Sequence, residues 1–197
     1  MNGEIGVLIL AGGKSERMLF PKPFLLYEGK TFLRKIVDEY RSAGVNNIFL
    51  VLNKDLCFGR WEKDVSQIKP FVTIIQNADS ELGRTHSLKI GIERMLNFDF
   101  CFIQNIDNPN ISEKLIGDMI QFRNKKDYIS PVYNGKSGHP VLVSKKIVQH
   151  LNRLHDENFN LRNILAGYSK QTIEVNNSDI LANVNTVEDY KRLSKAY

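Results

Sequence analysis

Hydrophobic positions in the first half of the chain follow two alternating spacings. Continuous apolar runs of strand length lie at Ile5–Ala11, Ile48–Leu52, Val72–Gln76 and Phe98–Ile106. Between them, apolar residues recur every three or four positions, as on one face of a helix, within residues 32–40, 88–96 and 115–120. Continuous runs are typical of strands that are covered on both faces. The alternation therefore predicts a three-layer α/β fold with a mostly parallel central sheet.

The second half of the chain is less regular. Strand patterns at Tyr128–Tyr133 and His139–Val143 are separated by a segment that starts with Asn134-Gly135, so either a hairpin or a mobile loop is expected there. The remaining predicted elements are helices at 147–154 and 161–166, a strand at Thr172–Val175 and a helix from Thr186. Because no linker, repeat or low-complexity segment interrupts the pattern, the sequence predicts one domain over residues 1–197.

Composition is that of a globular protein with a core of its own. The 197 residues are 42% hydrophobic and 25% charged. The longest apolar run, Ile5–Ala11, has seven residues, whereas a membrane span needs about 20. Two cysteines, Cys57 and Cys101, provide neither a disulfide framework nor a Cys-based metal site. A cytoplasmic protein without a membrane segment is expected.

The charge balance favours an anionic partner. The chain has 27 Lys and Arg against 22 Asp and Glu, a net charge of +5. Basic residues are scattered, however, and no arginine-rich block, RNA-binding signature or zinc-finger spacing occurs. The expected partner is therefore a nucleotide or phosphorylated metabolite rather than nucleic acid, while both monomer and homodimer stay open.

The segment after the first strand has residues suited to binding phosphate. Adjacent Gly12 and Gly13 let backbone N–H groups approach a ligand closely, and Ser15 adds a side-chain donor. Arg17 and Lys22 place two cations just beyond. The Walker A and G-x-G-x-x-G patterns are both absent. Without further information, an ordinary glycine turn with solvated charges is an equally good interpretation.

Leu10-Ala11-Gly12-Gly13-x-Ser15-x-Arg17-Met18, followed by Pro21-Lys22, resembles the signature of the nucleotidyltransferase family that includes the molybdenum cofactor cytidylyl- and guanylyltransferases. The resemblance implies a nucleotide-diphospho-sugar transferase (GT-A) like fold. It implies that this loop wraps a nucleoside triphosphate, with contacts from Leu10, Ala11, Gly12, Gly13, Ser15, Arg17 and Lys22. Family members usually have glycine after Arg-Met, and Leu19 stands there in this chain, which could alter the bend of the loop.

A second segment, residues 83–91, is similar to the family's next motif: a glycine, then Ser-Leu, then a glycine. It reads as a loop leading into a helix, whose free N–H groups suit an anion or the edge of a base. The resemblance implies that Gly83 and Ser87 contact the nucleotide. The alternative is that Ser87 only caps the helix.

Two further segments resemble metal-binding parts of the family. Asp107 ends a hydrophobic strand, where an aspartate can hold Mg²⁺ or simply form a turn. Residues 105–109 resemble the family's Gly-Asp-Met-Pro, whose aspartate binds the metal. Residues 180–190 resemble its Asp-Ile-Asp-Thr-Pro-Glu-Asp ending, although Asn183 and Asn185 replace both early acids. Asn185 is the expected second ligand, and Thr186 is also expected to cap the last helix.

Asn134-Gly135-x-x-Gly138-His139-Pro140 resembles a stretch near the acceptor pocket of the cytidylyltransferase branch. His139 is therefore expected either to bond an acceptor phosphate or to brace the loop. This longer match favours CTP. The first turn is nearer to the guanylyltransferases, because cytidylyl enzymes usually have alanine where Gly12 stands.

Taken together, the resemblance implies an enzyme in which an acceptor phosphate attacks the α-phosphate of CTP and pyrophosphate leaves. Arg17, Lys22 and Asp107 are the expected catalytic residues, Mg²⁺ the cofactor and molybdopterin the acceptor. The alternatives are GTP as the donor, a sugar or alcohol phosphate as the acceptor, and a nucleotide-binding protein without turnover. The last is suggested by Asn183 and Asn185.

Overall fold

The computed structural model describes residues 4–155 and 159–195. Its strands are β1 (Ile5–Ala11), β2 (Leu26–Tyr27), β3 (Lys30–Thr31), β4 (Asn47–Asn53), β5 (Thr73–Asn77), β6 (Phe100–Asn105), β7 (Tyr128–Tyr133), β8 (Lys136–Ser137), β9 (Val141–Ser144) and β10 (Lys170–Glu174). Its α-helices are α1 (Phe32–Ser42), α2 (Glu62–Ile68), α3 (Gly83–Ile92), α4 (Glu113–Gln121), α5 (Lys145–Arg153), α6 (Leu161–Leu165) and α7 (Val187–Lys195).

Eight strands form one sheet in the order β10-β7-β9-β6-β1-β4-β5, with β8 added to β7. The central strand β1 pairs in parallel with both β4 and β6, and β4 pairs in parallel with β5. Strand β9 is antiparallel to both β6 and β7, while β10 is parallel to β7. The predicted fold class is therefore confirmed, with β9 as the strand that separates the two parallel groups.

Helices cover both faces of this sheet, which explains the continuous apolar runs. In β1, Val7 and Ile9 belong to the core that packs against α1 and α4, whereas Leu8 and Leu10 belong to the core under α3 and α5. Because successive side chains of a strand point to opposite faces, every position of β1 must be apolar. No helix in the described part of the chain is both long enough and apolar enough to cross a membrane.

The structure differs from the predicted elements where the local pattern is short. Helix α2 buries only Val65 and Ile68, and β2 and β3 have two residues each, so none shows a clear period. The predicted hairpin exists, but Asn134 and Gly135 join β7 to β8 rather than to β9. Strand β9 begins later than predicted because the N–H of His139 donates to the carbonyl of Ile180 instead of a neighbouring strand.

Candidate active site

A cavity of about 640 Å³, the first cavity, lies beyond the carboxyl ends of β1 and β6. These strands are parallel neighbours, so the loops that follow them meet at one edge of the sheet. The residues predicted to bind nucleotide, metal or transferred phosphate all line this cavity: Leu10, Ala11, Gly12, Gly13, Ser15, Arg17, Lys22, Gly83, Ser87, Asp107 and Asn185. Their convergence is a structural fact, and their individual roles stay predictions.

The loop after β1 is held in shape by its own residues. Ser15 has a left-handed backbone (φ 55°), and its side-chain oxygen accepts a hydrogen bond from the backbone N–H of Lys22 at 3.3 Å. The neighbouring Met18 is buried and anchors the loop to the core. Leu19 also has φ 55°, and its side chain is 91% exposed. Leucine thus takes the left-handed conformation that favours glycine.

Lys22, Asp107 and Asn185 form the charged centre of the first cavity. The Lys22 Nζ lies 2.8 Å from Asn185 Oδ1 and 3.9 Å from Asp107 Oδ2. Burial lowers the pKa of Lys22, and the negative charge of Asp107 opposes this effect. The other carboxylate oxygen of Asp107, Oδ1, is buried and has no hydrogen-bond partner among the described residues.

That unpartnered oxygen makes Asp107 suitable for a divalent cation. A carboxylate and an amide oxygen are the hard ligands that Mg²⁺ prefers, and substrate phosphates usually complete its shell. Within residues 4–155 and 159–195, no group of three or more His, Cys, Asp or Glu side chains could hold a metal. Asp107 and Asn185 therefore fit a metal that is shared with a bound triphosphate, rather than one enclosed by the protein.

The two asparagines that replace family acids have different surroundings. Asn183 Oδ1 accepts a hydrogen bond from Asn108 Nδ2 at 3.0 Å, and Asn108 Nδ2 also lies 2.6 Å from the carbonyl of Ala182. The backbone N–H of Val184 donates to the carbonyl of Asp107 at 2.9 Å. These bonds hold the 182–185 segment beside the end of β6. Asn183 thus serves this attachment, while Asn185 lines the cavity.

The predicted cap of the last helix is present. The N–H of Asp189 donates to Thr186 Oγ1 at 3.1 Å, and the N–H of Thr186 donates back to Asp189 Oδ2 at 2.9 Å. The N–H of Asn185 donates to the same carboxylate oxygen at 3.0 Å. The cap therefore also fixes the backbone of the expected metal ligand.

The alternative that Ser87 only caps a helix is wrong, because α3 already begins at Gly83. Ser87 lies one turn further on, donates to the carbonyl of Gly83 at 3.3 Å and accepts from Asn77 Nδ2 at 3.1 Å. A Cβ added at Gly12 would lie 2.5 Å from Ser87 Oγ and 2.8 Å from Asn77 Nδ2. Ser87 and Asn77 thus form the support against which the glycine turn packs, and only glycine fits there without rearrangement.

His139 lies in a second cavity of about 990 Å³, which adjoins the first. Its lining includes Arg84, His139 and a group of basic and aromatic residues: Tyr128, Lys136, Phe159, Arg162 and Lys170. No carboxylate among the described residues lines this second cavity. Asn105 Nδ2 lies 3.3 Å from the ring nitrogens of His139. Burial and the nearby Arg84 lower the pKa of His139 to about 4, so the imidazole is neutral at pH 7.

Of the residues that the structure describes, three line both cavities: Leu10, Arg84 and Asn105. Leu10 belongs to the predicted nucleotide loop, whereas Arg84 and Asn105 do not belong to any predicted site. Both lie directly beside predicted positions, Arg84 after Gly83 and Asn105 two residues before Asp107. The motif residues that carry the resemblance do not include these two positions, so only the strand order could show that they stand at a junction.

Comparison with known proteins shows the family to which the chain belongs. The family described as MobA-like NTP transferase domain matches residues 7–173, and the chain therefore belongs to that family of nucleotidyltransferases. It is 29% identical over 202 residues to a probable molybdenum cofactor guanylyltransferase of Bacillus mycoides (strain KBAB4), which covers 95% of this chain and 94% of that relative.

A second relative matches over a shorter region. The molybdenum cofactor cytidylyltransferase of Escherichia coli (strain K12) is 28% identical over 127 residues, and the match spans 64% of this chain and 64% of that protein's length. Among solved structures, a nucleotidyl transferase from Methanothermobacter thermautotrophicus has a TM-score of 0.81 at 20% identity, covering 98% of this chain and 97% of its own. At that identity the likeness supports the fold.

Proposed function

We propose that the protein transfers CMP from CTP to the phosphate of molybdopterin and releases pyrophosphate. One observation carries this proposal: Arg17, Lys22 and Asp107 line a single cavity that continues into a second, cationic one. The first cavity suits a triphosphate, and the second suits a negatively charged acceptor.

For this reaction the protein must position the two substrates and neutralise the negative charge of their phosphates. An oxygen of the acceptor phosphate forms a bond to the α-phosphorus, the bond from that phosphorus to the β-phosphate oxygen breaks, and its electron pair leaves with pyrophosphate. The acceptor phosphate is already ionised, so no protein base is needed. Lys22 and Arg17 stabilise negative charge on the α-phosphate and on the leaving group.

Asp107 and Asn185 are the residues that would hold Mg²⁺ in this cavity. When bound, the ion neutralises phosphate charge and fixes the orientation of the triphosphate. Lys22 contributes a further positive charge next to both side chains.

The lining of the second cavity supports this choice of acceptor. Lys136, Arg162 and Lys170 supply positive charge, while Tyr128 and Phe159 supply aromatic surface. A flat ring system that carries a phosphate matches both features. His139, neutral and placed beside Asn105, can accept or donate a hydrogen bond to such an acceptor.

GTP is the second candidate for the donor. The relative that matches 95% of this chain is a probable guanylyltransferase, and Gly12 is the guanylyl-like residue of the first turn. Gly12, however, packs against Ser87 and Asn77, so its lack of a side chain is explained by packing as well as by the choice of base. Because of the Gly138-His139-Pro140 match, CTP therefore stays the first candidate for the donor.

Steady-state pyrophosphate release tests the proposal. The protein is assayed with Mg²⁺, with CTP or GTP, and with or without molybdopterin, and the dinucleotide product is identified by its mass. Release that requires both CTP and molybdopterin is expected. Release with GTP but not with CTP would overturn the choice of base. Tight nucleotide binding without pyrophosphate release under any of these conditions would mean that the protein binds nucleotide but does not catalyse the transfer.

A further inference from the structure

Arg84 occupies the junction between the two cavities. It follows Gly83 in the first turn of α3, and in the described part of the chain it is the one cation that lines both spaces. Arg17 and Lys22 line only the first cavity, whereas Lys136 lines only the second. A ligand group in either cavity can therefore approach Arg84.

Two observations show that the Arg84 guanidinium is available to ligands. Its positive charge lowers the pKa of Lys22 in the first cavity and the pKa of His139 in the second, so it is electrostatically close to both. Its side chain is exposed, and it makes no hydrogen bond or ion pair with any residue in 4–155 or 159–195. All five of its N–H donors are free of described protein partners.

We propose that Arg84 is a catalytic residue that bridges the two substrates, with one edge of its guanidinium on the α-phosphate and the other on the acceptor phosphate. This inference rests on the proposed function. The two phosphates must approach each other although both are negatively charged, and a cation between them offsets that repulsion. A planar guanidinium suits the task because its fork can donate to two phosphate oxygens at once.

Binding of inorganic phosphate provides a test that needs no turnover. Wild-type protein is saturated with Mg²⁺ and α,β-methylene-CTP, which occupies the first cavity without reacting, and phosphate is titrated by calorimetry as a probe of the acceptor phosphate. Arg84→Ala is expected to weaken phosphate affinity by about tenfold or more, as loss of a charge-assisted contact does, and to weaken affinity for the analogue as well. The phosphate affinity of Arg84→Lys should lie between those of the wild type and Arg84→Ala, because lysine keeps the charge and loses the forked donor geometry.

Lys89→Ala is the matched control, since it removes one positive charge from the same helix outside both cavities. Phosphate affinity that is equal in wild type and Arg84→Ala, including the absence of binding in both, would overturn the inference. So would a loss of affinity for the analogue with phosphate affinity unchanged, because Arg84 would then be a contact of the donor alone. Failure of the proposed function appears separately, as a wild-type protein that releases no pyrophosphate with any acceptor.

Discussion

The two adjoining cavities differ in how they are built and in the charges that they carry. The first lies at the ends of parallel strands and combines Arg17 and Lys22 with the acid Asp107. The second lies on the side of the sheet where β9 runs antiparallel, and its charged lining among described residues is entirely basic. Among the described residues, a carboxylate with an unpartnered oxygen lines the first cavity, whereas the charged side chains that line the second are all basic. In the proposed function, the first cavity binds the donor and the second binds the acceptor.

The largest effect is expected from the charged centre of the first cavity. Lys22→Ala and Asp107→Ala should each lower turnover at least ~100-fold, equivalent to about 2.7 kcal/mol of transition-state stabilisation. Thermal unfolding should show that both variants remain folded. Lys63→Ala, on the exposed side of α2, removes a lysine outside both cavities and should leave the rate unchanged. A wild-type rate in either site variant would remove that residue from the proposed mechanism.

The two glycines of the first turn should differ in stability. A Cβ at Gly12 would meet Ser87 Oγ at 2.5 Å, so Gly12→Ala should lower the free energy of unfolding by about 1–3 kcal/mol through overpacking. A Cβ at Gly13 meets nothing within 4 Å, so Gly13→Ala should leave that free energy unchanged or slightly raised. Urea titration of both variants without ligand measures the difference. Equal stability of the two would show that the turn does not depend on its contact with Ser87.

In the second cavity, His139 should make stability depend on pH. Its pKa is lowered to about 4 by burial and by Arg84, and the negative charge of Asp107 opposes this effect. In the unfolded chain the pKa of this histidine is near 6.5. The unfolded state therefore binds more protons, and stability falls as the pH drops from 6.5 towards 4. A loss of about 1–2 kcal/mol between pH 7 and pH 5 is expected. His139→Asn should remove this loss, and an unchanged pH profile would mean that His139 is accessible to solvent.

The smallest effect is expected at Asn185. Asn185→Asp adds a negative charge beside Lys22, and we expect Mg²⁺-dependent turnover to stay the same or to rise by no more than about threefold, because a carboxylate is the better Mg²⁺ ligand. The comparison variant is Asn183→Asp, whose oxygen can still accept from Asn108 and which should not alter the Mg²⁺ dependence. A collapse of activity in Asn185→Asp would show that the amide itself is required.

Local chemistry in the sequence was enough to predict much of the fold and of the first cavity. The bounds of β1 agree with its apolar run, and Thr186 caps the last helix as predicted, since the Asp189 N–H donates to its hydroxyl. The glycine turn, its two cations and Asp107 each follow the end of a strand within eleven residues. Parallel pairing then brings those strand ends to one edge, so the site follows from short segments and one topological rule.

The tertiary structure alone decided which distant segments meet. Asn108 bonds to Asn183, Gly12 packs against Ser87 and Asn77, and Arg84 stands between two cavities. Hydrophobic periodicity reports only on neighbours within an element, because it records which face of that element is buried. Contacts across about 65 to 75 positions depend on strand order and on the antiparallel course of β9, which no single segment encodes.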